Sequence, residues 1–256
     1  LNNTLKLIPY ARSIWWHIHE MLFGFTVAIV TGFLLTAVQN WTQRTSVKGW
    51  HLVSLVSVWL VARLLMLWPS VNPWIVAVFD LAYLPLTTFF FIRPVWQAQQ
   101  WRNVFFAPLL LVMFFLNIAM HVMVFISHYQ YLIVVANTMV MMISLFMVII
   151  GGRVFPMFTA NGTGTDKVKP LPWLERVAIS SVGLSVIATF FATSISAYLL
   201  ATTYGIAALA NAYRVCRWRI WITWNTPLLW SLHLSYWFIV FGLFALALAA
   251  FGIGLD

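Results

Sequence analysis

Charge is nearly missing from this chain: only 7% of its 256 residues are Asp, Glu, Lys or Arg, against 63% hydrophobic, and the mean hydropathy is +0.93. A water-soluble domain needs a charged shell over its core, so the composition excludes one and marks a polytopic membrane protein. Cysteine is scarcer still. The lone Cys216 rules out a disulfide framework, an all-cysteine iron–sulfur cluster and a covalent Cys-x-x-Cys-His haem attachment, so any haem is held non-covalently. There is no G-x-x-x-x-G-K-[ST] segment, which removes nucleotide-driven activity. No basic n-region with a cleavage site precedes the first apolar run, and the chain opens on Leu1, so a fragment of a longer protein is expected.

Apolar runs of membrane-crossing length fill the rest. They cover Trp16–Val38, Leu52–Trp68, Trp74–Ile92, Val104–Ser127, Tyr131–Ile150, Val177–Thr193, Ile195–Tyr213 and Leu228–Phe251. The expected fold is an all-α transmembrane helix bundle of about eight spans, taken as one helical domain over residues 1–256. The connection at Thr193–Ser196 is short enough for the sixth and seventh runs to form one broken element. Gly151-Gly152 is read as the end of the fifth helix, with Pro156 preventing its resumption and Arg153 capping its carbonyls. Fifteen Trp, 8 Tyr and 21 Phe suit interfacial belts and helix packing, and also an aromatic-lined pocket.

The net charge of +9 is distributed with the spans. Arg44 and Lys48, Arg93 and Arg102, Arg153, Lys167, Lys169 and Arg176, and Arg214, Arg217 and Arg219 all fall in alternate connections, while the intervening ones carry no charge. Such alternation places the basic connections in the cytoplasm. No basic stripe lies away from the spans, so nucleic acid is excluded as a partner and the lipid bilayer takes its place.

This orientation sorts the six histidines. His17 and His19 open the first span beside Glu20 and Met21, and His121 and His128 close the fourth, all toward the outer leaflet. His51 and His233 fall toward the inner side. Asp80 is the only acid deep in a span and has Arg63 or Tyr83 as possible interhelical partners. On a regular helix, at roughly 100° per residue, His17, Glu20, Met21, Gly24, Ala28, Thr31 and Gly32 share a face, and His19 points almost the other way. Gly24-x-x-x-Ala28-x-x-x-Gly32 is a small-residue stripe suited to close helix packing. On the fourth span Asn117 lies one turn below His121. Imidazole is a leading ligand for haem iron and copper, and the Met21 thioether suits Cu(I). His17, His19 and His121 are therefore the candidate cofactor ligands, with Met21 as a further metal ligand. His17 and His19 divide between two metal positions unless the helix start is unwound. Glu20, Asp80, Asn117, His128, Arg153 and His233 are candidate supporting residues; for any one histidine, simple interhelical hydrogen bonding is the competing reading.

These residues carry a resemblance. His17-x-His19-Glu20-Met21-Leu22-Phe23-Gly24-Phe25, then Gly32-Phe33-Leu34-Leu35-Thr36-Ala37 and Asn40-Trp41-Thr42, resemble the opening of the NnrS family of bacterial membrane proteins. Asp80-Leu81-Ala82, Leu84-Pro85, Arg93-Pro94, Trp101-Arg102-Asn103, Asn117 and His121 follow in similar order. Gly152-Arg153-Val154-Phe155-Pro156, Phe158-Thr159-Ala160-Asn161-Gly162, Leu229-Trp230, Leu232-His233-Leu234 and Tyr236 extend it over nearly the whole chain. The resemblance implies a multi-pass protein of the bacterial inner membrane that contains haem and copper and belongs to the response to nitric oxide and nitrosative stress. It also implies that a first span and a later His/Gly/Met-rich span lie outside this chain.

Two functions follow as expectations: a haem/copper protein binding nitric oxide or a related small molecule through its outer-leaflet histidines, or a proton-coupled or solute transporter using the intramembrane His and Asp residues. No clear pair of inverted halves supports the transporter. The topology has a direct test. With the basic connections inside, a cysteine placed at Lys169 is shielded from impermeant maleimide added to the periplasmic side and one placed at Tyr129 reacts; labelling of Lys169→Cys from the periplasm rejects this orientation.

Overall fold

The computed structural model describes residues 10–68 and 70–253, and every regular element among them is helical. Eight long helices follow in order: α1 (Ser13–Thr42), α2 (Trp50–Leu67), α3 (Pro73–Gln97), α4 (Phe106–Phe125), α5 (Leu132–Thr163), α6 (Pro172–Phe190), α7 (Ala197–Cys216) and α8 (Pro227–Ala250). Seven of them are long and apolar enough to cross a membrane, α7 being the one outside that set. The chain is a multi-pass helical membrane protein. Helices are the expected solution, because hydrocarbon offers no water to backbone N–H and C=O groups and each span must satisfy its own.

Local chemistry sets the helix starts. Pro73, Pro172 and Pro227 each stand in the first turn, where a missing N–H costs nothing. Asn72 caps α3 by accepting the Trp74 N–H at 3.0 Å, and Ser196 caps α7 by accepting the Leu199 N–H at 3.3 Å. The Ser196 cap separates α6 from α7, so the two are distinct helices rather than one broken one.

The chain forms two compact units, one ending at Met139 and the other beginning at Val140. In the first, α3 is the central helix and packs against α1, α2 and α4. In the second, α7 packs between α6 and α8. Buried Ala201, Ala207 and Ala208 keep the α7 surface thin enough for close neighbours, and Thr202, Thr203, Asn211 and Arg214 account for its lower apolarity.

Arg214 of α7 is buried and knits the second unit together. Its guanidinium forks onto both carboxylate oxygens of Glu175 on α6, donates to the Val148 carbonyl of α5 at 2.8 Å and to the Tyr236 hydroxyl of α8 at 3.1 Å. Tyr236 in turn donates to Asn211 Oδ1 at 2.6 Å.

This cluster corrects the expectation that the helix ends at Gly151-Gly152. α5 runs on through both glycines and through Pro156 to Thr163, and Arg153 lies half-buried inside it rather than capping its end. The glycines are notches. A Cβ on Gly152 would strike the Arg214 guanidinium, and one on Gly151 would lie 2.9 Å from the Tyr236 ring. Proline within a span is tolerated because neighbouring groups take up the freed carbonyl.

The stripe Gly24, Ala28, Gly32 is likewise not a helix seam. A Cβ on Gly24 would collide with the Arg63 guanidinium of α2, whereas one on Gly32 would meet nothing within 4 Å. The stripe makes room for an arginine at one end and borders an open cleft at the other.

Gly152→Leu is expected to displace Arg214 from Glu175 and to destabilise the protein by about 1–3 kcal/mol or more, as overpacking does. Gly32→Leu, facing open space, should cost far less. Thermal unfolding of the two variants in detergent checks the difference.

Candidate metal centre

After its first two turns, α1 departs from α-geometry. Glu20–Thr26 form a π-helix, whose wider turn holds more residues than a regular one. The carbonyls it loosens are met by side chains: Thr26 Oγ1 donates to the Met21 carbonyl at 2.7 Å, and Trp59 Nε1 donates to that of Gly24 at 2.9 Å. Trp15, His19, Phe23 and Val27 then share the buried face. His19 lies between two rings, stacked on Trp15 at 4.7 Å and on Phe23 at 5.4 Å between centroids. Trp15 Nε1 donates to the Met120 carbonyl at 3.0 Å, which ties this face to α4.

Against it stand Asp80 of α3 and Asn117 and His121 of α4, all buried. The metal-capable atoms of His19, Asp80 and His121 lie within 4.8 Å of one another. Asp80 Oδ2 accepts from Asn117 Nδ2 at 2.7 Å and from His121 Nε2 at 3.0 Å, and lies 3.2 Å from His19 Nε2. His19 Nε2 also meets Asn117 Oδ1 at 2.9 Å. Asp80 Oδ1 pairs with Arg63 Nη2, and Arg63 Nη1 lies 2.9 Å from Glu20 Oε1.

Hydrogen-bond logic fixes one tautomer. A carboxylate can only accept, so His121 Nε2 carries the proton and its Nδ1 accepts from the Tyr10 hydroxyl at 3.2 Å. Burial pushes the Tyr10 phenol above its usual range, which keeps it a donor. His19 is less comfortable. Its Nε2 must donate to Asn117 Oδ1, which leaves the Nδ1 lone pair 3.3 Å from a Glu20 oxygen that also only accepts.

Charge tells the same story. Among the described residues of the cluster, Glu20 and Asp80 have only Arg63 against them, which leaves one negative charge over when both histidines are neutral, an arrangement that favours a bound cation.

A family model described as NnrS protein matches residues 2–256. The chain belongs to the NnrS family. Neither a curated protein nor a solved structure matches it.

Of the sequence candidates in this NnrS-family chain, His19, Asp80, Asn117 and His121 come together, with Glu20 joined through Arg63. His17 is exposed and Met21 is 49% exposed, so both stand apart from the cluster. His128 is exposed beyond the end of α4 with Nδ1 2.6 Å from the Ile126 carbonyl, and His51 is exposed with its ring against Phe90. His233 is buried in the second unit, where Nε2 meets Thr159 Oγ1 at 2.8 Å and Nδ1 has no partner.

Sequence reasoning missed Tyr10 and Trp15. Trp15 had a signal, since Trp15, His19 and Phe23 are spaced by four on one helix, the spacing at which side chains meet. Tyr10 precedes the first span and had none. Arg63 had been weighed only as a partner of Asp80, and it is that partner as well as the partner of Glu20.

The Arg63 contacts are buried charge pairs, and removing one partner of such a pair strands the other. Arg63→Met is expected to destabilise the protein by about 3–5 kcal/mol, and Asp80→Asn in the same chain should recover part of the loss. Thermal unfolding of the single and double variants reads this out; a double variant no better than Arg63→Met would show that Glu20, not Asp80, is the partner that matters.

Proposed function

We propose that this NnrS-family chain is a copper-containing protein of the bacterial inner membrane that takes part in the response to nitric oxide, and that His19, His121 and Asp80 hold the metal. The convergence of two buried imidazoles and one buried carboxylate carries the reading. Donors about 2 Å from a common ion sit roughly 3.3 Å apart, close to the spacing of these atoms, so small side-chain adjustments bring all three onto one centre. Two nitrogens and one oxygen suit Cu(II), Zn or non-haem iron, and membership in the NnrS family favours copper. Copper bound there would supply a redox-active centre able to coordinate a small diatomic molecule.

The chain's own residues have defined tasks in this reading. Tyr10 and Glu20 stand at the Nδ1 atoms of His121 and His19, the outer-shell role that fixes ring direction at metal centres, and Asn117 holds the Asp80 carboxylate from α4. Trp15 and Phe23 clamp the His19 ring and keep water from it. Arg63 pairs with both carboxylates and fixes Asp80 in place, leaving its Oδ2 toward the centre. Haem fits less directly. A largely apolar groove of about 510 Å³ runs beside His121 between Trp74, Pro85, Phe114 and Phe125, but no cation lines it to meet propionates. No step is assigned to haem.

A second reading is favoured by one observation. Tyr10, His121, Asp80, Asn117 and His19 form a continuous hydrogen-bonded chain, and a proton taken up at His19 Nδ1 would extend it to Glu20, as a proton-coupled transporter would need.

Metal analysis and absorption spectra of purified full-length protein, with and without dithionite and nitric oxide, separate the two. Under the copper reading, His19→Ala and His121→Ala each lose copper while His17→Ala and His51→Ala keep it. Retention of full copper in both of the first pair, or protein that carries no metal after growth with copper, leaves proton relay as the function of the cluster. Absence of a Soret band removes haem.

A further inference from the structure

The cluster sits near the start of α1, and a second, chemically different site lies at its far end. The connection from α1 to α2 folds against the last turns of α3 around a cavity of about 230 Å³. Lys48 and Arg93 line it, with His51, the hydroxyls of Thr45 and Ser46, and the Gln97 amide. No carboxylate is among the lining residues. The two acids between residues 1 and 139, Glu20 and Asp80, are both bound to Arg63 in the other cluster. Ser46 Oγ is buried and has no hydrogen-bond partner. A buried hydroxyl left unpaired is unfavourable, and the cations around it define the missing partner as an anion with several acceptor oxygens.

A second cavity adjoins it. Val47 also lines a larger, mainly apolar cleft of about 410 Å³ between α1 and α2, walled by Ala28, Gly32, Leu35, Leu52, Val56 and Tyr83. The open space above Gly32 belongs to this cleft.

We propose that these adjoining cavities bind one anionic phospholipid, with its phosphate among Ser46, Lys48 and Arg93 and an acyl chain lying in the cleft along the small-residue face of α1. A free phosphate would use the polar cavity alone and leave the apolar one without a purpose. A lipid uses both, and basic pockets between spans are where anionic headgroups bind. The small-residue stripe thus serves a lipid where a helix seam was expected. The inference stands apart from the metal reading, since it shares no residue with the His19 cluster.

Native mass spectrometry of full-length protein tests it, with phosphatidylglycerol, phosphatidylcholine or inorganic phosphate added. Wild-type protein is expected to retain phosphatidylglycerol about 25-fold over phosphatidylcholine, and Lys48→Gln with Arg93→Gln should remove that preference, since each of the two basic groups contributes roughly a fivefold factor. Gly32→Phe should lower retention of both lipids. Lys48 is exposed in a loop, so Lys48→Gln alone, with an expected loss of about fivefold, decides the matter should the double variant fail to fold. Equal retention of the two lipids by the wild type, an unchanged preference in Lys48→Gln, or full displacement of phosphatidylglycerol by millimolar inorganic phosphate overturns the proposal. The last result would make the cavity a site for free phosphate.

Discussion

Arg63 and Asp80 face each other across α2 and α3 inside a bundle that has almost no other charge, and much of the first unit depends on that pair. Neither group tolerates hydrocarbon alone, so wherever one goes the other must follow. The guanidinium needs a helix without a side chain beside it, which Gly24 provides. It also draws Glu20 inward, and Glu20 sits where α1 widens into a π-helix. With Asp80 held by its Oδ1 on Arg63, the Oδ2 oxygen is left to gather Asn117 and His121 from α4, with His19 of α1 beside it. One charge pair therefore organises four helices around a polar centre.

The second unit repeats this logic with different residues. Arg214 and Glu175 pair in the interior, Gly152 yields the space, and a tyrosine and an asparagine absorb the remaining donors. The two clusters differ in what is left over. Around Arg214 every hydrogen-bonding group named has a partner and the pair is balanced, which makes it a tie between helices. Around Asp80 the charge is unbalanced and the His19 Nδ1 faces an acceptor, which makes it a place for a cation.

Glycines show how an identical sequence pattern divides in three dimensions. Gly24, Gly32 and Gly152 all sit within apolar helices, and spacing suggested a helix seam for the first two and a helix end for the third. Two of them accommodate arginine side chains and the other borders a lipid-sized cleft. Each keeps a volume empty, but what fills the volume comes from a residue tens of positions away.

Composition and periodicity alone determined that this is a multi-pass helical membrane protein, because apolar length and the need to satisfy the backbone in hydrocarbon are properties of each segment by itself. The motifs also carried the family, and the rarity of charge was enough to mark His19, Asp80 and His121 as residues of interest. Which of them meet was decided by the tertiary structure. His17 and His19 are two residues apart and looked equivalent in the chain, but only His19 faces the interior, since the face turned inward is chosen by Trp15, Phe23 and Val27 packing against neighbouring helices. Tyr10 acquired its role in the same way, and Arg63 its second partner Glu20, through tertiary contacts that no local pattern encodes.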